Sequence, residues 1–157
     1  MKQIVQYPSG ETRLTDVAAP GVAPGTLLVQ TGASLVSVGT ERMIVDFAQK
    51  GLLAKARARP DLVRQVVRKV KTEGLLTTMD AVTRRLDQPM PLGYSAAGRV
   101  VAVGEGVTGV HEGDLVACAG AGHAEVMRVP LNLTATAPEG VTAEEAAFAT
   151  VGAIALH

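Results

Sequence analysis

The stretch PLGYSAAGRVVAVGEGV (Pro91–Val107) sets the fold, because it joins a β-branched run to a cluster of turn glycines. Gly98–Val103, GRVVAV, has the composition of a strand, and Gly104, Gly106 and Gly109 follow as punctuation. Downstream come three more short runs: GDLVACAG (113–120), HAEVMRVP (123–130) and LNLTATAPEG (131–140). Upstream the first forty residues repeat the habit, with QIVQY, the turn Pro8-Ser9-Gly10, TRLTDV, the breaker AAPGVAPG and then TLLVQTGASLVSV. Short alternating runs separated by glycine and proline predict antiparallel strands closing into a small, irregular β-barrel.

Between the two β-rich blocks, from about Phe47 to Leu86, the hydrophobic period changes from two to 3.6. In RPDLVRQVVRKV (59–70), Pro60 suits a first helical turn. Leu62, Val66 and Val70 share a face with Val63 and Val67, and Arg64, Arg68, Lys69 and Lys71 take the other. After Gly74, Leu75, Met79, Val82 and Leu86 form a second apolar stripe. This predicts a helical hairpin inserted into the barrel over about 47–88. Its basic face carries no interleaved aromatics, so it reads as solvated surface or a docking face rather than a nucleic-acid site.

The totals narrow the partners. A chain of 157 residues supports one compact domain, and a net charge of +0 supplies no general attraction to nucleic acid or anionic lipid. Aromatics at 3% leave little for base stacking, and no apolar run reaches the roughly 18 residues of a membrane span. One cysteine, Cys118, forms no internal disulfide, and the N-terminal MKQIVQYPSG lacks a signal-peptide core, so a cytoplasmic location is expected.

At the C-terminal end, GVTAEEAAFATVGAIALH (140–157) places Thr142 and Glu145 at capping-box spacing, predicting a helix through Ala146, Ala147 and Phe148. The apolar run FATVGAIAL needs a partner, so residues 1–141 are expected to form one domain and 142–157 the start of a helix leading into a further domain.

Gly104, Gly106 and Gly109 have the G-x-G-x-x-G spacing of dinucleotide sites, but VHEGDLVA follows where that motif requires a helix N-terminus. They are read as turn glycines. A structural zinc site wants four Cys or His, and one cysteine with three scattered histidines does not supply them. A three-ligand catalytic site would have to use Cys118, His111 and His123, which nothing in their spacing brings together. His123, in a glycine-flanked bend beside Glu125, is the polar candidate: an imidazole oriented by a carboxylate moves protons near neutral pH, and a plain structural turn histidine is the competing reading.

Taken together, SLVSVGTER (34–42), PLGYSAAGRVVAVGEGV, HEGDLVACAG (111–120), AEVMRVP (124–130) and APEGVTAEEAAFAT (137–150) resemble the N-terminal GroES-like domain of the medium-chain dehydrogenase/reductase superfamily, which includes the zinc alcohol dehydrogenases. The resemblance implies a mainly β fold with helices, a GroES-like irregular β-barrel. Zinc-using relatives carry a cysteine before the Gly-Thr of the first motif and Gly-His-Glu in the second. Here Val38 precedes Gly39-Thr40, the second reads Gly93-Tyr94-Ser95, and the third ligand would fall near Thr150 or Val151. The chain is therefore similar to the zinc-independent branch, and its insert resembles that of bacterial bi-domain oxidoreductases; no metal site is expected.

The resemblance further implies that a following Rossmann domain holds NAD or NADP, that this chain alone binds neither and is inactive alone, and that hydride passes between nicotinamide and a carbonyl or activated C=C of a small-molecule substrate. On that basis Tyr94 and His123 are the expected catalytic residues, as polariser or proton donor, and Thr40, Glu41 and Ser95 line the substrate cleft. Homo-oligomerisation is compatible with this reading; nucleic acid and membrane are not expected partners. The alternative is a non-catalytic GroES-like binding or assembly module that docks through the insert.

Overall fold

A computed structural model describes residues 1–49, 57, 63, 64, 66, 68, 70, 72, 74 and 88–157. Two antiparallel sheets carry the fold. The smaller has the order β2 (Thr12–Asp16), β1 (Lys2–Gln6), β4 (Met90–Pro91). The larger runs β7 (Val126–Pro130), β3 (Thr26–Ser34), β5 (Ser95–Val103), β6 (Leu115–Ala119), β8 (Thr134–Thr136). They curl into a half-barrel: the mainly β architecture read from the alternating runs is observed, and it is consistent with the GroES-like domain that the resemblance implies.

The core of the larger sheet follows from period-two alternation. Leu27 and Val29 of β3, Ala96 and Val100 of β5, Val116 and Cys118 of β6, and Met127 and Val129 of β7 point to one side and bury together with Ala121. Each fully buried Leu or Val contributes on the order of 1.5–3 kcal/mol, which makes this face the main source of stability. Register is interrupted between Leu28 and Val29 and between Thr31 and Ala33 of β3. There Gly98 lets the backbones close up: a Cβ on it would lie 2.0 Å from the Gln30 carbonyl oxygen.

The other face of the sheet carries alanines. Ala97 and Ala117 pack against Ala146 and Ala147 of the C-terminal helical region, and Gly32 approaches Ala143 so closely that an added Cβ would sit 2.9 Å from the alanine Cβ. Small residues on both sides let helix α2 (Ala143–Ala146) lie directly on the strands. The capping box is formed: Glu145 N–H donates to Thr142 Oγ1 at 3.2 Å and Thr142 N–H to Glu145 Oε2 at 2.9 Å. The single helix expected here is two, since α2 ends at Ala146 and α3 (Ala149–Leu156) follows after a short break.

A second difference concerns β3. The run SLVSV reads as strand to Val38, yet β3 ends at Ser34 and helix α1 (Val38–Gln49) begins where the apolar pattern still looks extended. The reason is Glu41: its carboxylate Oε1 accepts the Ser37 N–H at 2.9 Å while its own N–H donates to the Ser37 carbonyl at 2.9 Å, closing the first turn. The hairpin expected over 47–88 lies largely outside the described residues; within it Arg57, Val63, Arg64, Val66, Arg68, Val70 and Thr72 are helical.

The sheets are stitched together by residues 123–125. Ile4 N–H donates to the His123 carbonyl at 2.9 Å, His123 N–H to the Leu92 carbonyl at 2.8 Å, and Glu125 N–H to the Lys2 carbonyl at 3.1 Å. That stitch fixes the backbone of His123 from both sides.

Candidate active site at the end of β3 and β5

Strand β3 ends and β5 begins side by side, with Ser34 opposite Ala96 and the Leu35 N–H bonded to the Ser95 carbonyl at 2.9 Å. Helix α1 starts from the same edge, and the 120–124 segment folds across it through the Gly120 N–H to Tyr94 carbonyl bond of 2.7 Å. Four pieces distant in sequence thus meet around one imidazole.

His123 is 6% exposed and Glu41 8% exposed. Nε2 of His123 lies 3.1 Å from Oε1 and 3.2 Å from Oε2 of Glu41, and Nδ1 lies 2.9 Å from the Ser34 hydroxyl. Both ring nitrogens are therefore engaged. A carboxylate accepts hydrogen bonds, so the ring meets Glu41 as a donor from Nε2, while the Ser34 hydroxyl, able to donate or accept, is the partner of Nδ1. Glu41 is itself positioned by the Ser37 N–H, and Ser34 is exposed.

Of the five residues anticipated from sequence, Glu41 and His123 are in direct contact. Tyr94 is half-buried at the start of β5, one residue before the Leu35–Ser95 bond, and among the described residues its hydroxyl has no hydrogen-bond partner. Thr40 is exposed in the first turn of α1, next to Glu41. Ser95 is 1% exposed, and its hydroxyl donates to the Ala147 carbonyl at 2.6 Å, so it ties β5 to the C-terminal helical region.

The carboxylate expected beside His123 was Glu125. Its Oε2 instead accepts the Lys2 backbone N–H at 2.8 Å, and Glu41 takes the place at the ring. Ser34 was not anticipated at all, because a serine at the end of an alternating strand carries no local signal.

The remaining candidates are dispersed. His111 is exposed in a turn, its backbone N–H donating to Asp114 at 2.8 Å. Cys118 is buried mid-sheet, where desolvation pushes its thiol up to about 12. Among the described residues no three His, Cys, Asp or Glu side chains are grouped so as to hold a metal ion. Gly104, Gly106 and Gly109 form the turn after β5, and Gly104 sits against the Ala23 carbonyl, 2.0 Å from where its Cβ would be. No helix follows them, so this turn does not fit a dinucleotide phosphate. No described helix is long and apolar enough to cross a membrane.

A profile of the alcohol dehydrogenase GroES-like domain matches residues 63–156. Among solved structures, galactitol-1-phosphate dehydrogenase from Escherichia coli is 19% identical with a TM-score of 0.66, covering 100% of this chain and 44% of its own. A mycobacterial quinone oxidoreductase is 25% identical with a TM-score of 0.60, covering 96% and 38%. The Escherichia coli quinone oxidoreductase in complex with NADPH is 18% identical with a TM-score of 0.60, covering 94% and 36%. The chain thus spans well under half the length of each. No curated protein matches it.

Proposed function

Because this chain belongs to the alcohol dehydrogenase GroES-like domain family, we propose that it is the substrate-side domain of a nicotinamide-dependent oxidoreductase and works with a Rossmann domain that holds NAD or NADP. The observation that carries the reading is the buried Glu41–His123 pair reaching an exposed hydroxyl at one edge of the half-barrel, beside Tyr94. The glycine turn after β5 does not suit the cofactor, so the dinucleotide belongs to the second domain. That domain supplies the hydride acceptor or donor; this one binds and orients a carbonyl or activated C=C substrate and manages its proton.

In this reading the Tyr94 hydroxyl points its free hydrogen-bonding capacity at the substrate oxygen and polarises it. Thr40 lines the cleft next to Glu41, and His123 is the proton reservoir. Ser95 acts through packing, anchoring β5 to the C-terminal helical region. The reaction is proposed to run without zinc, since Val38 and Tyr94 stand where zinc-using relatives place a cysteine and a histidine, and neither valine nor neutral tyrosine is a customary zinc ligand.

The test is nicotinamide oxidation and reduction by the polypeptide carrying this domain together with its cofactor domain, against aldehydes, ketones, enones and nucleotide sugars. Turnover with one class, lowered about 100-fold by Tyr94→Phe, is the expected result. A panel that stays silent while NAD(P) is bound overturns the proposal.

A further inference from the structure

Strand β2 (Thr12–Asp16) is the outer strand of the smaller sheet, and the direction of its backbone groups follows from its pairing with β1. The Met1 ammonium donates to the Val17 carbonyl and the Val17 N–H to the Met1 carbonyl, both at 2.9 Å. From there the register runs without a break from Lys2 opposite Asp16 to Gln6 opposite Thr12. Bonded and non-bonded pairs alternate in an antiparallel ladder, so Arg13 and Thr15 bond to β1, and Thr12, Leu14 and Asp16 turn their N–H and C=O groups outward. The far edge of β1 shows the same parity: Ile4, in register with Leu14, donates to the His123 carbonyl and accepts the Leu92 N–H.

Among the described residues no group meets this outward row. The strand also lacks the usual protection of an edge. It has no proline and no bulge, its charges are matched inside the hairpin by Lys2–Asp16 and Glu11–Arg13 pairs, and Leu14 is 65% exposed. We propose that this edge is a self-pairing surface: two copies of the chain join β2 to β2, antiparallel, about a two-fold axis at Leu14, fusing their small sheets into one. Such pairing is independent of the chemistry at His123.

Charge and register select a second copy as the occupant. A two-fold axis perpendicular to the sheet keeps each side chain on its own face, so outward residues pair only with outward residues. Centred on Leu14, all of them are used: Leu14 faces Leu14, and Thr12 faces Asp16 on both sides, each pair exchanging its N–H···O bonds. The exposed leucines then cover one another, and no like charges meet. Sliding the strands by two residues one way sets Arg13 against Arg13. Sliding them the other way leaves Thr12 facing Ala18, beyond the end of the strand. TRLTD is thus complementary to itself in a single register. Strands this short make a small interface, so the dimer is weak, dissociating on the order of 100 μM.

The 157-residue chain carries the test. Sedimentation from micromolar to millimolar concentration is expected to show monomer passing to dimer, with the Thr12, Leu14 and Asp16 amides gaining hydrogen-exchange protection only in the dimer. Leu14→Pro removes an outward N–H alone and is expected to leave a folded monomer. Thr12→Lys, which sets an ammonium beside Asp16 of the second copy, is expected to tighten the dimer about 5-fold, and Thr12→Asp to loosen it by as much. Both lose the same Thr12–Gln6 contact, so the opposite signs isolate charge. Leu14→Cys is expected to oxidise to a disulfide-linked dimer, because bonded antiparallel pairs hold their Cα atoms about 5.5 Å apart, and Thr12→Cys is not; the native Cys118 is buried. A chain that stays monomeric throughout overturns the proposal. So does a dimer that survives Leu14→Pro, one that responds alike to the two Thr12 charges, or one abolished by Ile154→Asp on the exposed apolar side of α3.

Discussion

Gly93 lies directly against His123: a Cβ on the glycine would be 2.8 Å from the histidine amide nitrogen and 3.0 Å from its Cγ. Gly93 also has φ +96°, where a side chain is strained in any surroundings. The pair makes the Pro91–Tyr94 turn a template for the imidazole. Gly93→Ala is expected to cost about 1–3 kcal/mol and to displace the His123 ring. Chemical denaturation of the 157-residue chain and loss of the His123–Glu41 signature in ring spectra check it; unchanged values of both refute the templating role.

Glu41 serves two masters, the imidazole and the Ser37 N–H at the start of α1. Glu41→Ala leaves a buried ring N–H without an acceptor and should destabilise by about 1–3 kcal/mol. Glu41→Gln keeps a carbonyl oxygen for one of these donors and is expected to lose less than half as much. Urea midpoints for the two variants decide the order, and equal losses would mean that charge rather than hydrogen bonding holds the contact.

Ser95 joins β5 to the C-terminal helical region through its bond to the Ala147 carbonyl. Ser95→Ala is expected to cost about 1 kcal/mol and to accelerate amide hydrogen exchange in α2 and α3 more than in β3. Uniform acceleration across both would show that the bond is not what docks these helices.

Cys118 is buried between neighbours of the core, and its thiol is pushed up to about 12 by desolvation. The folded value lies above the ordinary one of 9.0. The associated stability is therefore complete below pH 9 and is lost as pH rises toward 12, because the unfolded chain releases its thiol proton first. Native protein at pH 8 should resist iodoacetamide and react once unfolded in urea. Cys118→Ala should show a smaller fall in stability between pH 9 and 11, and an identical fall would assign the effect elsewhere.

Much of the architecture was legible because its signals are local. The β-branched runs QIVQ, TLLVQ and GRVVAV became β1, β3 and β5 because side chains two apart share a face whatever lies beyond them. Thr142 and Glu145 announced a helix start because a capping box is closed within four residues. The failure of the glycine motif as a phosphate site was also readable, since the strand that replaces the needed helix is written just after it. The start of α1 was not readable: Val36-Ser37-Val38 has strand composition, and only the Glu41 carboxylate reaching back to Ser37 turns the chain.

The site itself was decided by tertiary structure. Sequence offered His123 the carboxylate two residues away, yet Glu125 turns to the Lys2 amide while Glu41, 82 positions distant, fills the place at the ring. Ser34 is 89 positions from His123 and enters only because β3 stops there, beside the start of β5 and under the 120–124 segment. Periodicity and turn chemistry act over a few residues and so are written in the chain. Which hydroxyl and which carboxylate meet one imidazole depends on strand register, on where β3 gives way to α1, and on the stitch that binds His123 between Ile4 and Leu92, contacts that exist only once the sheets have closed on each other.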